Sequence, residues 1–267
     1  MGDPTRRAQV DAASVYDALF VPAVFGQWAS KVADAAQARP GQRVLDVACG
    51  TGVLAREVAS RIGSTGFIAG IDASPGMVAV ARQLAPAIEW REGVAEAIPF
   101  PDQSFDTVVS QFGLMFFTDR RQALRDMFRV LVPGGRLAIA VWDSLDNMPA
   151  YASEVGLLER MAGRDAADAL RAPFVLGNRQ HLATLLAEAE ITSVEITTHG
   201  GTAQFPSIRS MVEADLKGWL PVMGILLTED QIRRILQEAE YALSPYLTAD
   251  GRASFDLSAH IVTARKP

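Results

Sequence analysis

The chain has 267 residues, 49% of them apolar, 21% charged and 7% aromatic, with a net charge of −6. At roughly 150 residues per domain it holds one large domain or two small ones, and a mean hydropathy of +0.13 without low-complexity runs excludes disorder. The acidic balance gives no electrostatic footing for a phosphate backbone or an anionic membrane, so neither nucleic acid nor a membrane surface is an expected partner.

The single cysteine, Cys49, cannot close an intramolecular disulfide, and no Cys/His cluster has zinc-ligand spacing. The first residues carry Asp3, Arg6 and Arg7 with no apolar stretch behind them, and no run approaches the ~20 apolar residues of a membrane span. A metal-free, cytoplasmic protein without a signal peptide is expected.

Residues 10–38 place Val10, Val15, Leu19, Phe20, Val24, Trp28, Val32 and Ala36 at helical spacing with a break near Pro22, which predicts two short amphipathic helices. Residues 43–48 (RVLDVA) read as a strand, Gly50-Thr51-Gly52 as a turn, and Val53, Leu54, Val58 and Ile62 as a helix. The unit repeats: a strand at 66–72, a helix opened by Ser74-Pro75, and a third short strand at 87–91. Strands at 105–111 and 135–142 flank a helix at 119–131, with Pro133-Gly134-Gly135 as the turn into the fifth strand. Alternation of this kind predicts a doubly wound α/β fold with a mostly parallel sheet.

Beyond Trp142 the rhythm changes. Helices are expected at 148–171, at 179–189 and two or three times within 206–244, with strands at 193–198 and 253–264, seven strands in all. The added helices are expected to cap one end of a single domain.

The glycine turn ends the first strand, where doubly wound sheets bind ligands. Gly50 and Gly52 let backbone approach a ligand, and N–H groups at the helix start can donate to a carboxylate or phosphate. Gly50-x-Gly52-x-x-Ala55 also satisfies the dinucleotide fingerprint, and it equally describes a plain tight turn. Asp72, 20 residues after Gly52, suits a ribose diol or an N-cap. No lysine follows the second glycine, which removes a P-loop.

The blocks VLDVACGTG, GIDASPGM, EGVAEAIPFPDQSFDTVVSQFGLMFF and FRVLVPGGRLAIAVW, in this order from about residue 40 to 143, resemble the class I S-adenosylmethionine-dependent methyltransferases. Within them the pattern is most similar to the ubiquinone/menaquinone biosynthesis C-methyltransferase type and its small-molecule relatives. The resemblance implies a Rossmann-like methyltransferase fold divided into an N-terminal helical lid (1–40), a cofactor-binding core (41–145) and the rest of the sheet with an inserted helical cap (146–267).

It also implies a cofactor, S-adenosyl-L-methionine, and a site. Asp46 and the turn from Ala48 through Gly50 to Gly52 would hold the methionine end of the cofactor, and Asp72 both ribose hydroxyls. Ala73 and Met77 would pack on adenine, Ala95 and Glu96 would meet its edge, and Gln111 and Phe112 would flank the methionine part. Ala48 stands where the family commonly has glycine, a change that φ < 0 would accommodate. Val94 stands where it commonly has aspartate, which leaves adenine to backbone, packing or Glu96. Met115 and Phe116 replace the charged and polar pair of the quinone enzymes, and Val141 and Asp143 their acidic residue and serine, which points away from quinones.

The reaction implied is in-line methyl transfer to an O, N or C centre of a small, mainly apolar or aromatic molecule, driven by proximity and desolvation. Phe20, Met115, Phe116, Trp142, Trp219 and Met223 would line its pocket, and Tyr16 is the candidate base. His181, His199 and His260 read as structural, and Arg120, Arg121, Arg125 and Arg129 as a solvated helix face. Two other classes stay open: an NAD-dependent oxidoreductase, on the glycine spacing and Asp72, and a non-transferring binder of S-adenosylmethionine.

Overall fold

The computed structural model describes residues 4–267, with side chains from residue 6. Its strands are β1 (Arg43–Val47), β2 (Phe67–Asp72), β3 (Glu89–Glu92), β4 (Phe105–Gln111), β5 (Leu131–Trp142), β6 (Val194–Phe205) and β7 (Ala253–Arg265). They form one sheet in the order β3-β2-β1-β4-β5-β7-β6, parallel from β3 to β5, with β7 antiparallel to both neighbours. The doubly wound, mostly parallel seven-stranded sheet expected from the sequence is the one observed.

β1, β4 and the inner part of β5 are buried on both faces and so are mainly apolar, with Asp46, Thr107 and Ser110 the polar residues buried among them. The Pro133-Gly134-Gly135 turn lies within β5 as an excursion: Phe105 pairs with Leu131, and Thr107 then pairs with Arg136. Gly134 makes it possible at φ +77°.

The helices are α1 (Pro4–Phe20), α2 (Gly26–Ala35), α3 (Val53–Ile62), α4 (Pro75–Leu84), α5 (Arg120–Val130), α6 (Pro149–Ala162), α7 (Arg164–Arg171), α8 (Arg179–Glu188), α9 (Ile208–Glu213), α10 (Leu220–Val222) and α11 (Glu229–Ala242). The break expected at Pro22 is a π-helical turn, Val21–Phe25, which carries the chain from α1 into α2 without leaving the helix. A second π-helical segment, Ala214–Trp219, joins α9 to α10. α4 opens as the sequence predicts, with Ser74 as N-cap and Pro75 at the first helical position. β6 is 12 residues long rather than six, because its second half opens on His199-Gly200-Gly201-Thr202, which carries no apolar alternation to read, although Ala203 and Phe205 beyond it are buried.

The arginines of α5 differ from expectation. Arg129 sits between Asp126 (2.6 Å) and Asp102 (2.7 Å) and donates to the Ile98 and Phe100 carbonyls. Arg120 donates to the Met115 carbonyl and Arg125 to that of Glu188. Three of the four therefore clamp neighbouring backbone, and only Arg121, with its distant Glu188 partner at 3.8 Å, behaves as a solvated side chain.

Candidate functional site

A cleft of about 1320 Å³ lies at the carboxyl ends of the parallel strands, where the chain order reverses between β1 and β4. Ala48, Gly50, Asp72, Ala73, Met77, Ala95, Glu96, Gln111 and Phe112 line it, together with Tyr16, Phe116, Trp219 and Met223. Its floor continues into a smaller chamber that holds Asp46, with Tyr16, Phe25, Cys49 and Gln111. A third cavity, about 520 Å³, is walled by aromatic rings and shares Tyr16, Phe112, Phe116 and Trp219 with the cleft.

Asp46 ends up here because β1 is central: the side chain lies among apolar strands and is 1% exposed. Neither of its carboxylate oxygens has a hydrogen-bond partner. Burial and then the nearby Asp72 charge push its pKa well above the usual carboxylate range, with only the Ala55 N–H acting to lower it. Gln111 donates to the Phe25 carbonyl at 3.1 Å while its Oε1 stays unpartnered. Buried acceptors left open in this way cost about 1–3 kcal/mol each and mark where a ligand donor belongs.

Asp72 is already engaged. Oδ2 accepts the Gly50 N–H and Oδ1 the Ser74 N–H, each at 2.8 Å, so the carboxylate ties the end of β2 to the glycine turn. Burial raises its pKa, against the lowering effect of those two bonds. The N-cap of α4 is Ser74, not Asp72. The turn's N–H groups are also less free than expected, since Gly50 donates to Asp72 and Gly52 to the Cys49 carbonyl.

Gly52 does not line the cleft. At φ +87° it packs against the Trp90 indole, and a Cβ there would collide with that ring. Gly50, at φ +55°, has open space where a Cβ would stand. Ala48 takes φ +57° rather than the negative value anticipated, and Phe112 takes the same angle at the end of β4. Two non-glycine residues in the left-handed region, at the ends of neighbouring strands lining one cleft, are strain of the kind binding sites hold.

Glu96 lines the cleft, but its Oε1 accepts the Thr118 and Asp119 N–H groups at 2.9 and 3.2 Å, so it also holds the loop after β4. Met77 is buried between α1 and α4 with Ala13 and Val80, and its flank still reaches the cleft. Val94 is 46% exposed on the rim.

Of the residues expected around the acceptor, Phe20 and Trp142 wall the aromatic cavity, Phe116 and Trp219 border both spaces, and Met223 borders the cleft. Met115 borders neither: it is buried in the core because the turn of helix after β4 points it inward. Tyr16 lines all three spaces. Burial, then Asp72 and Asp17, raise its pKa far above the ordinary value, so it stays protonated and is a poor base.

Sequence reasoning missed Phe25, Tyr151, Glu154 and Asp215. The last two are buried acids within apolar helical runs, and that incongruity was the available signal. His260 is structural, between Thr198, the Gly177 carbonyl and Asp143. Asp143 is raised by burial but lowered overall by Ser144, Ser258, Asn147 and His260, and it borders no cavity described here. No helix of the described residues is long and apolar enough to cross a membrane, and no group of three or more potential metal ligands occurs among them.

A model of the ubiE/COQ5 methyltransferase family matches residues 13–153. The 2-phytyl-1,4-naphtoquinone methyltransferase of Thermosynechococcus vestitus is 42% identical over 133 residues, 48% of this chain and 59% of that protein. A ubiquinone/menaquinone biosynthesis C-methyltransferase from Ectopseudomonas mendocina is 43% identical over 115 residues, 41% of this chain and 45% of its own. The chain thus spans about half the length of the curated relatives it matches. A putative methyltransferase from Bacillus halodurans superposes with a TM-score of 0.60 at 19% identity, over 90% of this chain and 98% of that one. A Haemonchus contortus phosphoethanolamine N-methyltransferase, solved with phosphomonomethylethanolamine and S-adenosylhomocysteine, gives 0.60 at 17% identity over 96% and 57%. These two likenesses establish the shared fold, and the matched segment, which carries β1 to β5 and most of the residues that line the cleft, establishes that the chain belongs to the ubiE/COQ5 methyltransferase family.

Proposed function

We propose that this protein is an S-adenosylmethionine-dependent methyltransferase acting on an O, N or C centre of a small, mainly apolar or aromatic molecule. The observation that carries the reading is Asp46: a buried, unpartnered carboxylate on the floor of the cleft, one wall away from an aromatic cavity. A group bearing an ammonium ion relieves that charge, and the methionine end of S-adenosylmethionine has one. When bound, the cofactor supplies an electrophilic methyl group on a sulfonium.

The chain's own residues do the rest. Asp46 takes the ammonium group and Gln111 Oε1 accepts a further donor hydrogen bond. Each Asp72 oxygen keeps a lone pair beyond its backbone bond, enough for two ribose hydroxyls. Ala73 and Met77 pack on one adenine face, the methionine sulfur being soft and polarisable, and Ala95 meets the adenine edge. Rings of Phe20, Phe116, Trp142 and Trp219 exclude water and hold an apolar acceptor in line, which supplies the acceleration by proximity and desolvation. Family membership removes the motive for a nicotinamide oxidoreductase, which rested on glycine spacing and Asp72 alone.

A cytoplasmic location and the absence of a nucleic-acid partner belong to the same reading, on the net charge of −6 and the lone cysteine. The test is calorimetric titration with S-adenosylhomocysteine: one site per chain is expected, weakened at least about tenfold in Asp46→Asn, which removes a charge-assisted bond. Equal affinity in the two proteins would place the ligand elsewhere.

A further inference from the structure

The aromatic cavity has one charged residue in its wall. Asp215, on the π-helical segment Ala214–Trp219, lines it beside Tyr16, Phe20, Trp142, Tyr151 and Trp219. Asp215 is 2% exposed and its Oδ2 has no partner; behind it Glu154 of α6 is fully buried, with both oxygens unpartnered. Neither carboxyl meets a lysine, arginine or histidine among the described residues, whereas buried Asp126 pairs with Arg129 and accepts the Ile98 N–H, and buried Asp143 meets His260.

We propose that Asp215, backed by Glu154, is the proton acceptor of the acceptor cavity, and that the molecule it serves is an aromatic or enolic compound bearing a hydroxyl group. This rests on the methyltransferase reading above. Two adjoining carboxyls that no cation neutralises cannot both ionise, so the pair shares a proton and carries one negative charge. Burial raises both above the ordinary carboxylate range; the Glu154 carboxyl raises Asp215 further, whereas the proton shared with Asp215 lowers Glu154, which stands at about 8. The titratable groups that bear on them are Tyr151 on α6 and Tyr16 on α1, both held neutral. The buried residues that α7, α9 and α11 contribute are apolar, among them Leu170, Met211, Ile232 and Leu236.

A carboxyl pair that shares one proton and is held above the ordinary carboxylate range is better matched to a phenol or enol than an ordinary carboxylate is. The acceptor's O–H bond breaks as an O–H bond forms on Asp215. The electron pair left on the acceptor, on oxygen or the conjugated carbon, forms the bond to the methyl carbon, and the C–S pair stays on sulfur. The sulfonium and the anion thereby give two neutral products, and the proton leaves from Asp215 once the cavity opens. An amine arriving as an ammonium ion would pair with the same carboxylate but keep its proton, and so would have no lone pair to give. Glu154 touches no acceptor and is a positioning residue, setting the proton affinity of Asp215.

The experiment uses the full chain saturated with S-adenosylhomocysteine and three probes of one shape, α-naphthol, its methyl ether and α-naphthylmethylamine, with binding followed by calorimetry. Naphthol is expected to bind at least about tenfold more tightly than the ether, and Asp215→Asn to remove the difference. Asp215→Asn and Glu154→Gln should both bind S-adenosylhomocysteine within about twofold of wild type. In wild type, methyl transfer to naphthol should show an acidic limb in kcat/KM that moves to lower pH in Glu154→Gln, where the like charge is gone, and collapses in Asp215→Asn. No naphthol binding, equal binding of naphthol and ether, methyl transfer to the amine as fast as to naphthol, or an unmoved limb in Glu154→Gln would each overturn the proposal. Loss of S-adenosylhomocysteine binding by the wild type would instead overturn the methyltransferase reading beneath it.

Discussion

The Gly50 N–H donates to Asp72 Oδ2 at 2.8 Å, so the carboxylate that ends β2 holds in place the turn that ends β1. Either residue alone is a weak signal. Bonded together across the cleft mouth, they fix the spacing between the two ends of an extended ligand. Asp72→Ala should therefore lower S-adenosylhomocysteine affinity at least about tenfold, through lost charge-assisted bonds and a loosened turn. Calorimetry on a variant with wild-type circular dichroism checks this, and unchanged affinity would remove Asp72 from the site.

The two turn glycines should fail in different ways. Gly50→Val puts a side chain into open space at φ +55° and should abolish cofactor-product binding with a modest fall in melting temperature. Gly52→Ala drives a Cβ into Trp90 at φ +87° and should cost stability on the order of 1–3 kcal/mol. Thermal melts paired with binding titrations separate the two, and identical behaviour would contradict the packing described.

Asp46 makes affinity depend on pH. Its raised pKa keeps the carboxyl protonated further up the pH scale, and only the ionised form attracts an ammonium group. Affinity for S-adenosylhomocysteine should rise with pH above the ordinary carboxylate range, and the rise should flatten in Asp46→Asn. A titration series in wild type that is already flat would count against the ammonium assignment.

The Glu154–Asp215 pair works on stability with the opposite trend. Its folded pKa values lie above the unfolded ones, so the native state binds more protons and stability is lost as pH rises from about 4 through about 8. Glu154→Gln should flatten this slope and raise the melting temperature at the alkaline end. A variant less stable than wild type at about pH 8.5 would contradict the pair's burial without a cation.

Residues 10–28 and 206–225 each contain a π-helical segment, and the Gly218 backbone lies against Val15, Tyr16 and Phe20. They are expected to move as one lid. Hydrogen exchange there should be faster than in β1, β4 and β5 and should slow when cofactor product and acceptor are both bound. Protection equal to that of the central strands, unchanged by ligand, would make these segments fixed core.

The parallel half of the sheet was legible because a strand buried on both faces has a mainly apolar run, and because Ser74-Pro75 and Asp119 cap helices by local chemistry. Asp46, Gly50 and Asp72 were legible because they sit at strand ends that topology alone brings together. What sequence could not give was direction and depth. Met115 and Phe116 are neighbours in one turn, yet one enters the core and the other the cavity. Glu96 looked free for adenine, and its bonds to Thr118 and Asp119 span 22 and 23 positions. Asp215 and Glu154 lie on separate elements whose packing, not spacing, makes them a pair.

The account stands most directly on what occupies the cleft, and one titration decides it. S-adenosylhomocysteine and NADH are titrated separately into the full chain, with Asp46→Asn alongside. The account predicts one site for S-adenosylhomocysteine, weakened at least about tenfold in the variant, and no saturable binding of NADH. Binding of NADH, or no binding of S-adenosylhomocysteine by a folded wild-type chain, would contradict it.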